Sequence, residues 1–89
     1  MSLETTYSKK DIPQIINALK LYYSRFEKTD YVTLNEACYQ NKINPVLVTD
    51  FIINNRAPYT LGMPSDREDA SMYLNNLSQL EKQLIDKKF

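Results

Sequence analysis

The stretch DYVTLNEACYQNKINPVLVTDFIINNRAPY, residues 30 to 59, carries two helix-start signals joined by a short polar turn. Thr33 and Glu36 have the spacing of a reciprocal capping box, in which the hydroxyl accepts from the amide three residues on and the carboxylate reaches back. They predict a short helix over about 34 to 41, with Leu34, Ala37 and Cys38 facing inward. Asn41 is expected to take the left-handed conformation that ends it. Asn44 and Pro45 repeat the signal: the amide side chain caps, and proline sits in the first turn, where it has no hydrogen bond to lose. The helix they start runs over about 45 to 55, with Leu47, Val48, Phe51 and Ile52 inward, and Pro58 stops it. Ile43 between the two is a buried hinge. Two helices, a tight connection and small residues where they touch make a helix-turn-helix.

The flanks supply two longer helices. Upstream, Asp11 caps with Gln14 reaching back, Pro13 is tolerated, and Ile12, Ile15, Ile16, Leu19, Tyr22, Tyr23 and Phe26 recur on one face over about 12 to 28. The set LYYSRF suits a stacking platform for bases less well than a core stripe with hydroxyls near the surface. Downstream, Ser65 and Glu68 form another capping box, and Ala70, Tyr73, Leu77, Leu80 and Leu84 make a heptad seam over about 66 to 87. That seam packs on the first helix or on a second copy. The expected fold is all-α: one domain of four helices, the central helix-turn-helix being helices 2 and 3, with helices 1 and 4 covering them. Residues 57 to 64 are a loop able to hold a short wing-like hairpin.

Composition removes whole classes of function. The chain has 89 residues, 11 basic and 11 acidic, so no global field draws it to nucleic acid or an anionic membrane. There is no His, one Cys and one Gly, which leaves no Cys/His metal site, no internal disulfide and no glycine-rich phosphate loop. The commonest general base at neutral pH is missing. We expect no enzyme, no cofactor and no metal. Cys38, facing inward, is expected to be an inert small hydrophobe. The apolar runs are far too short for a membrane span and no signal peptide opens the chain, so a cytoplasmic setting is expected. Met1, Ser2 and Leu3 read as a leader outside the fold.

The segment YVTLNEACYQNKINPVLVTDFIINNRAPY resembles the excisionase-type and MerR-like helix-turn-helix domains. Thr33, Leu34, Glu36, Ala37, Ile43, Pro45 and Val48 fall on that pattern, Arg56, Pro58 and Tyr59 resemble its exit towards a wing, and EDASMYL at 68 to 74 resembles the helix that follows. The resemblance implies a DNA-binding regulatory or recombination accessory protein. TLNEACYQNKINP also resembles the small helical module that precedes iron-repair and related redox proteins.

Helical phase places Val46, Thr49, Asp50 and Ile53 on the outer face of the third helix, a face without a cation. For double-stranded DNA, Thr49, Asn54, Asn55 and Arg56 are the contact candidates, with Lys42, Lys9 and Lys10 for phosphate. The competing expectation is a protein partner, met by Val46 and Ile53 together with Met72, Leu74 and Ile85 on helix 4, the last helix also offering a homodimer seam.

Overall fold

The computed structural model describes residues 7 to 54 and 59 to 86, with side chains through residue 83. They form four helices, α1 (Ile12–Glu27), α2 (Leu34–Gln40), α3 (Pro45–Asn54) and α4 (Arg67–Asp86), and a 3-10 turn at Lys9–Asp11 leads into α1. No strand occurs among the described residues.

The helix ends follow local chemistry, with departures from expectation. At the start of α1, Asp11 already has helical backbone because the 3-10 turn precedes it, and its side chain makes no bond into α1. The Asp11 carboxylate instead accepts from the Ser8 amide at 3.0 Å and the Ser8 hydroxyl at 3.2 Å. Gln14 does not reach back. Its Nε2 donates 3.2 Å to the Asn41 carbonyl, which ties the start of α1 to the end of α2.

At the end of α2 the left-handed residue is Lys42 (φ 55°), not Asn41 (φ −99°). The Lys42 amide bonds the Tyr39 carbonyl at 3.1 Å and the Ile43 amide bonds the Cys38 carbonyl at 3.0 Å, the paired closure of a Schellman motif. Asn41 stays outside the left-handed region, and its Nδ2 donates to the Ala37 carbonyl at 2.9 Å. The end of α1 closes the same way, with Thr29 left-handed (φ 58°), its amide on Phe26 and the Asp30 amide on Arg25 at 2.9 Å. A β-branched residue is disfavoured there. The turn is pinned by the Arg25 guanidinium, whose Nε donates to the Asp30 carbonyl and pairs with its carboxylate, both at 3.0 Å.

A further departure is at α4. The Ser65 and Glu68 box does not form. Asp66 caps, its Oδ1 accepting from the Asp69 amide at 2.8 Å, and the Asp69 carboxylate accepts from the Ser65 hydroxyl at 2.7 Å and amide at 3.2 Å. Those Ser65 bonds hold the Asp69 carboxyl below its usual range. A shorter acid one position later does the work expected of Glu68. At α2 half of the expected box forms, the Thr33 hydroxyl oxygen accepting from the Glu36 amide at 3.0 Å with no return bond to the Glu36 carboxylate, and at α3 Asn44 caps as read, accepting from the Val46 amide at 2.9 Å.

Helix α1 is the hub. It packs against α2, α3 and α4, while α2 and α3 also pack on each other. Glu27 meets Arg67 (carbonyl to Nε, 3.1 Å) and Lys20 meets Glu81 (2.6 Å), so α4 runs antiparallel to α1. Ile15, Ala18, Leu19 and Tyr23 are fully buried, as are Ala37, Cys38 and Val48 across from them and Ala70 and Leu77 of α4. The heptad positions described thus close on α1 within the chain. Among the described residues α4 touches neither α2 nor α3, so it does not cover the helical pair. One long helix has only two broad sides, and α1 gives one to α4 and the other to the pair.

No strand forms in residues 59 to 66, and the first two positions of the expected wing segment, 57 and 58, lie outside the described residues. Leu61 and Pro64 are buried, the Tyr23 hydroxyl donates to the Gly62 carbonyl at 2.8 Å, and Asn76 donates to the Thr60 carbonyl at 2.8 Å. Backbone groups that a hairpin would pair are taken by side chains of α1 and α4. The Tyr73 ring lies so close over Gly62 that a Cβ there would stand 2.9 Å from its hydroxyl oxygen. Burial, offset in part by the Gly62 bond, pushes the Tyr23 hydroxyl well above the ordinary tyrosine range.

Candidate functional site

Helix α3 is apolar nearly all round, PVLVTDFIIN, and only Val48 and Phe51 of it are buried. Two inward residues anchor it: Phe51 meets the Tyr7 ring edge-on at 5.6 Å, and Val48 is fully buried in the core. Leu47 and Ile52 are half-buried at its flanks. The remaining stripe faces solvent, with Val46 55% and Ile53 62% exposed, Thr49 exposed between them and Asp50 half-buried. Burial, with the nearby Asp50 charge adding to it, raises the Tyr7 hydroxyl above its ordinary value.

Two of the DNA-contact candidates are bonded to their own helix. The Thr49 hydroxyl donates to the Pro45 carbonyl at 3.1 Å and Asn54 donates to the Asp50 carbonyl at 2.8 Å, both common back-bonds of short polar side chains. Lys42 is exposed on its left-handed turn. Asn55 and Arg56 lie outside the described residues, as do Pro58 and the side chains of Leu84 and Ile85. The bond from Gln14 to Asn41 brings the start of α1 beside Lys42, and the exposed Lys9 and Lys10 lie just upstream of Gln14.

Of the protein-interface candidates, Val46 and Ile53 share the α3 stripe. Met72 is 50% exposed, but on α4, which does not touch α3. Leu74 is half-buried and packs against the core, so only part of it faces solvent.

Two aromatic residues join the candidates. Tyr39 is 85% exposed on α2, and Tyr31 is 61% exposed, its ring edge-on to Phe26 at 4.9 Å. Tyr39 was legible in principle. With Ala37 and Cys38 inward, helical phase turns position 39 outward, where an aromatic side chain gains nothing from the core. Tyr39 and Ile43 border two shallow hollows, one shared with Gln40 and Lys42, the other with Thr33, Asn35, Glu36 and Pro45.

Cys38 is buried, and burial pushes its thiol above the ordinary range, which suits packing and not reactivity. Among the described residues no cluster of three or more metal-capable side chains occurs, and no helix is long and apolar enough to cross a membrane. Comparisons with models of protein families, with curated proteins and with solved structures give no match to this chain.

Proposed function

We propose that the protein is a small helical protein-binding module whose contact surface is the outer face of α3. The observation that carries this is the stripe of Val46, Thr49 and Ile53, two aliphatic residues more than half exposed on a helix without a Lys or Arg. An exposed aliphatic side chain loses free energy to water at every solvent contact, and a stripe of them at helical spacing fits an apolar groove or a partner helix. Duplex DNA needs the opposite, since phosphate contacts through cations supply most of its affinity.

A second reading has its own support. Lys42 is exposed at the end of α2, which the Gln14 bond ties to the start of α1, and the exposed Lys9 and Lys10 lie a few residues upstream of Gln14; in a helix-turn-helix these would meet the phosphate backbone, and Thr49, Asn54, Asn55 and Arg56 would face bases. It is the reading implied by the excisionase-type resemblance, a regulatory or recombination accessory protein.

One pair of measurements separates the two. With a partner isolated on the immobilised wild-type chain, Ile53→Asp and Val46→Asp should abolish capture while circular dichroism stays unchanged. Fluorescence anisotropy with mixed-sequence duplex at low salt should show no binding. Duplex binding that falls steeply with added salt and weakens in Lys42→Ala and Arg56→Ala would reverse the order of the two readings.

A further inference from the structure

Three side chains that the fold does not use line one hollow. Glu27 is the last residue of α1 and half-buried, and a carboxylate there meets the negative end of the helix dipole. Glu68 takes no part in the start of α4, where Asp66 and Asp69 accept the capping bonds. Tyr31 is 61% exposed, its ring steeply inclined to that of Phe26. All three border a hollow of about 750 Å³ between the end of α1 and the start of α4, together with Phe26, Asp66 and Arg67. Its charge is unbalanced. Three acidic residues line it against one cation, and the Nε of that cation, Arg67, donates to the Glu27 carbonyl at 3.1 Å. The ion pairs among the described residues, Lys20 with Glu81 and Arg25 with Asp30, engage none of these acids. Since Asp66 and Asp69 already answer the positive end of α4, Glu27 and Glu68 are the charges left over. Local rules broken without compensation are expected where a site is kept for a ligand.

We propose that this hollow binds an arginine side chain presented by a basic segment of a partner protein, its guanidinium stacked on the Tyr31 ring and paired with the carboxylates of Glu27 and Glu68. The lining selects the occupant. An anion is repelled by the surplus of acids. A metal ion needs several donors at once, and no group of three metal-capable side chains occurs among the described residues. An aliphatic side chain would cover the rings but leave the carboxylates without a partner. The flat guanidinium answers both, because it stacks on an aromatic face and donates paired bonds to a carboxylate, whereas the compact ammonium of lysine does each less well. Asp66, Arg67 and Glu68 are exposed, so the hollow is open to a side chain carried on another protein. None of the lining residues belongs to α3, and the site stands whether or not the α3 stripe binds a partner.

An NMR titration of the isotope-labelled full chain with a capped tripeptide of glycine, arginine and glycine tests this. The amides of Glu27, Tyr31 and Glu68 should shift and saturate. The citrulline tripeptide, of the same shape without the charge, should bind at least about tenfold more weakly. The lysine tripeptide should lose roughly three- to fivefold against arginine, and Tyr31→Ala should weaken arginine binding by about the same factor. Glu27→Gln combined with Glu68→Gln should weaken it about tenfold or more, while Ile53→Asp, on α3, should bind as the wild type does. These side chains are exposed or half-buried, so the fold should persist in each variant, and the amides away from the hollow report it. Shifts that grow without saturating, or that spread evenly over acidic residues elsewhere in the chain, mean diffuse charge attraction and overturn the proposal. So does a citrulline or lysine tripeptide bound as tightly as the arginine one, or a Glu27→Gln and Glu68→Gln variant that binds like the wild type.

Discussion

Helices α1 and α3 carry much the same aliphatic side chains and dispose of them differently. In α1 the large apolar residues fall on the faces that meet other helices, and Ile15, Leu19 and Tyr23 are fully buried. In α3 only Val48 and Phe51 are buried, while Val46 and Ile53 point outward beside Thr49. The first arrangement is what a core requires. The second exceeds that requirement, because the two outward residues add nothing to the packing that holds α3 in place. Apolar surface that the fold does not use is where a partner is to be sought.

The sharpest way to break the contrast is to truncate one residue from each helix. Leu19→Ala should cost about 2 to 5 kcal/mol, a large part of the stability of so small a domain, whereas Ile53→Ala should change it by less than about 0.5 kcal/mol. Urea unfolding followed by circular dichroism measures both. Equal losses would mean that α3 is as deeply committed to the core as α1.

The next effect lies where residues 59 to 66 cross α1 and α4. Gly62→Ala pushes a methyl group to 2.9 Å from the Tyr73 hydroxyl oxygen and should destabilise by about 1 to 3 kcal/mol. Tyr73→Phe in the same chain should recover part of the loss but not all, since the ring carbon behind the hydroxyl is still only 3.1 Å away. A double-mutant cycle with no coupling would show that the segment shifts freely over Tyr73.

The tyrosines of the α1 side give the fold a pH signature. Burial raises Tyr22 and Tyr23, and Tyr7 likewise, above the ordinary value of 10.0. A raised folded value means stability that is fully present below pH 10.0 and is lost as pH climbs through the higher folded values. Melting temperature should therefore fall in alkali. Tyr23→Phe should be less stable at neutral pH by about 1 kcal/mol, from the lost bond to Gly62, and should decline less steeply above pH 10.0. A decline as steep as wild type would acquit Tyr23 as its source.

The smallest expected change is a gain. Lys42 holds a left-handed conformation that glycine adopts without Cβ strain, so Lys42→Gly should stabilise by up to about 1 kcal/mol in thermal melts. A loss instead would assign the Lys42 side chain a role in holding the turn.

How far the sequence discloses this molecule depends on the range of the interaction that decides each feature. Thr33 and Asn44 launch helices through bonds within a few residues, and α2 and α3 lie where their spacing places them. The seam of Ala70, Tyr73, Leu77 and Leu80 is visible for the same reason, as one helix face. The cap of α4 shows the limit of local rules: Ser65, Asp66, Glu68 and Asp69 offer several boxes, and small differences in side-chain length choose among them. The 59 to 66 segment was hidden altogether, since its path rests on Tyr23 and Asn76, far away in the chain. Of the candidate site, the exposure of Val46 and Ile53 follows from phase alone, while the half-burial of Leu74 depends on how the helices pack around it. Tyr39 was readable but easily passed over among seven tyrosines.

The place of α1 as hub bears on how the chain acquires its shape. Glu27 and Arg67, which mark the meeting of the first and last helices, are 40 residues apart. During synthesis α1 is made well before α4, and the side destined for α4 stays bare until that helix follows. Assembly is thus late and concerted, and the waiting apolar flank of α1 is the surface a chaperone would meet first.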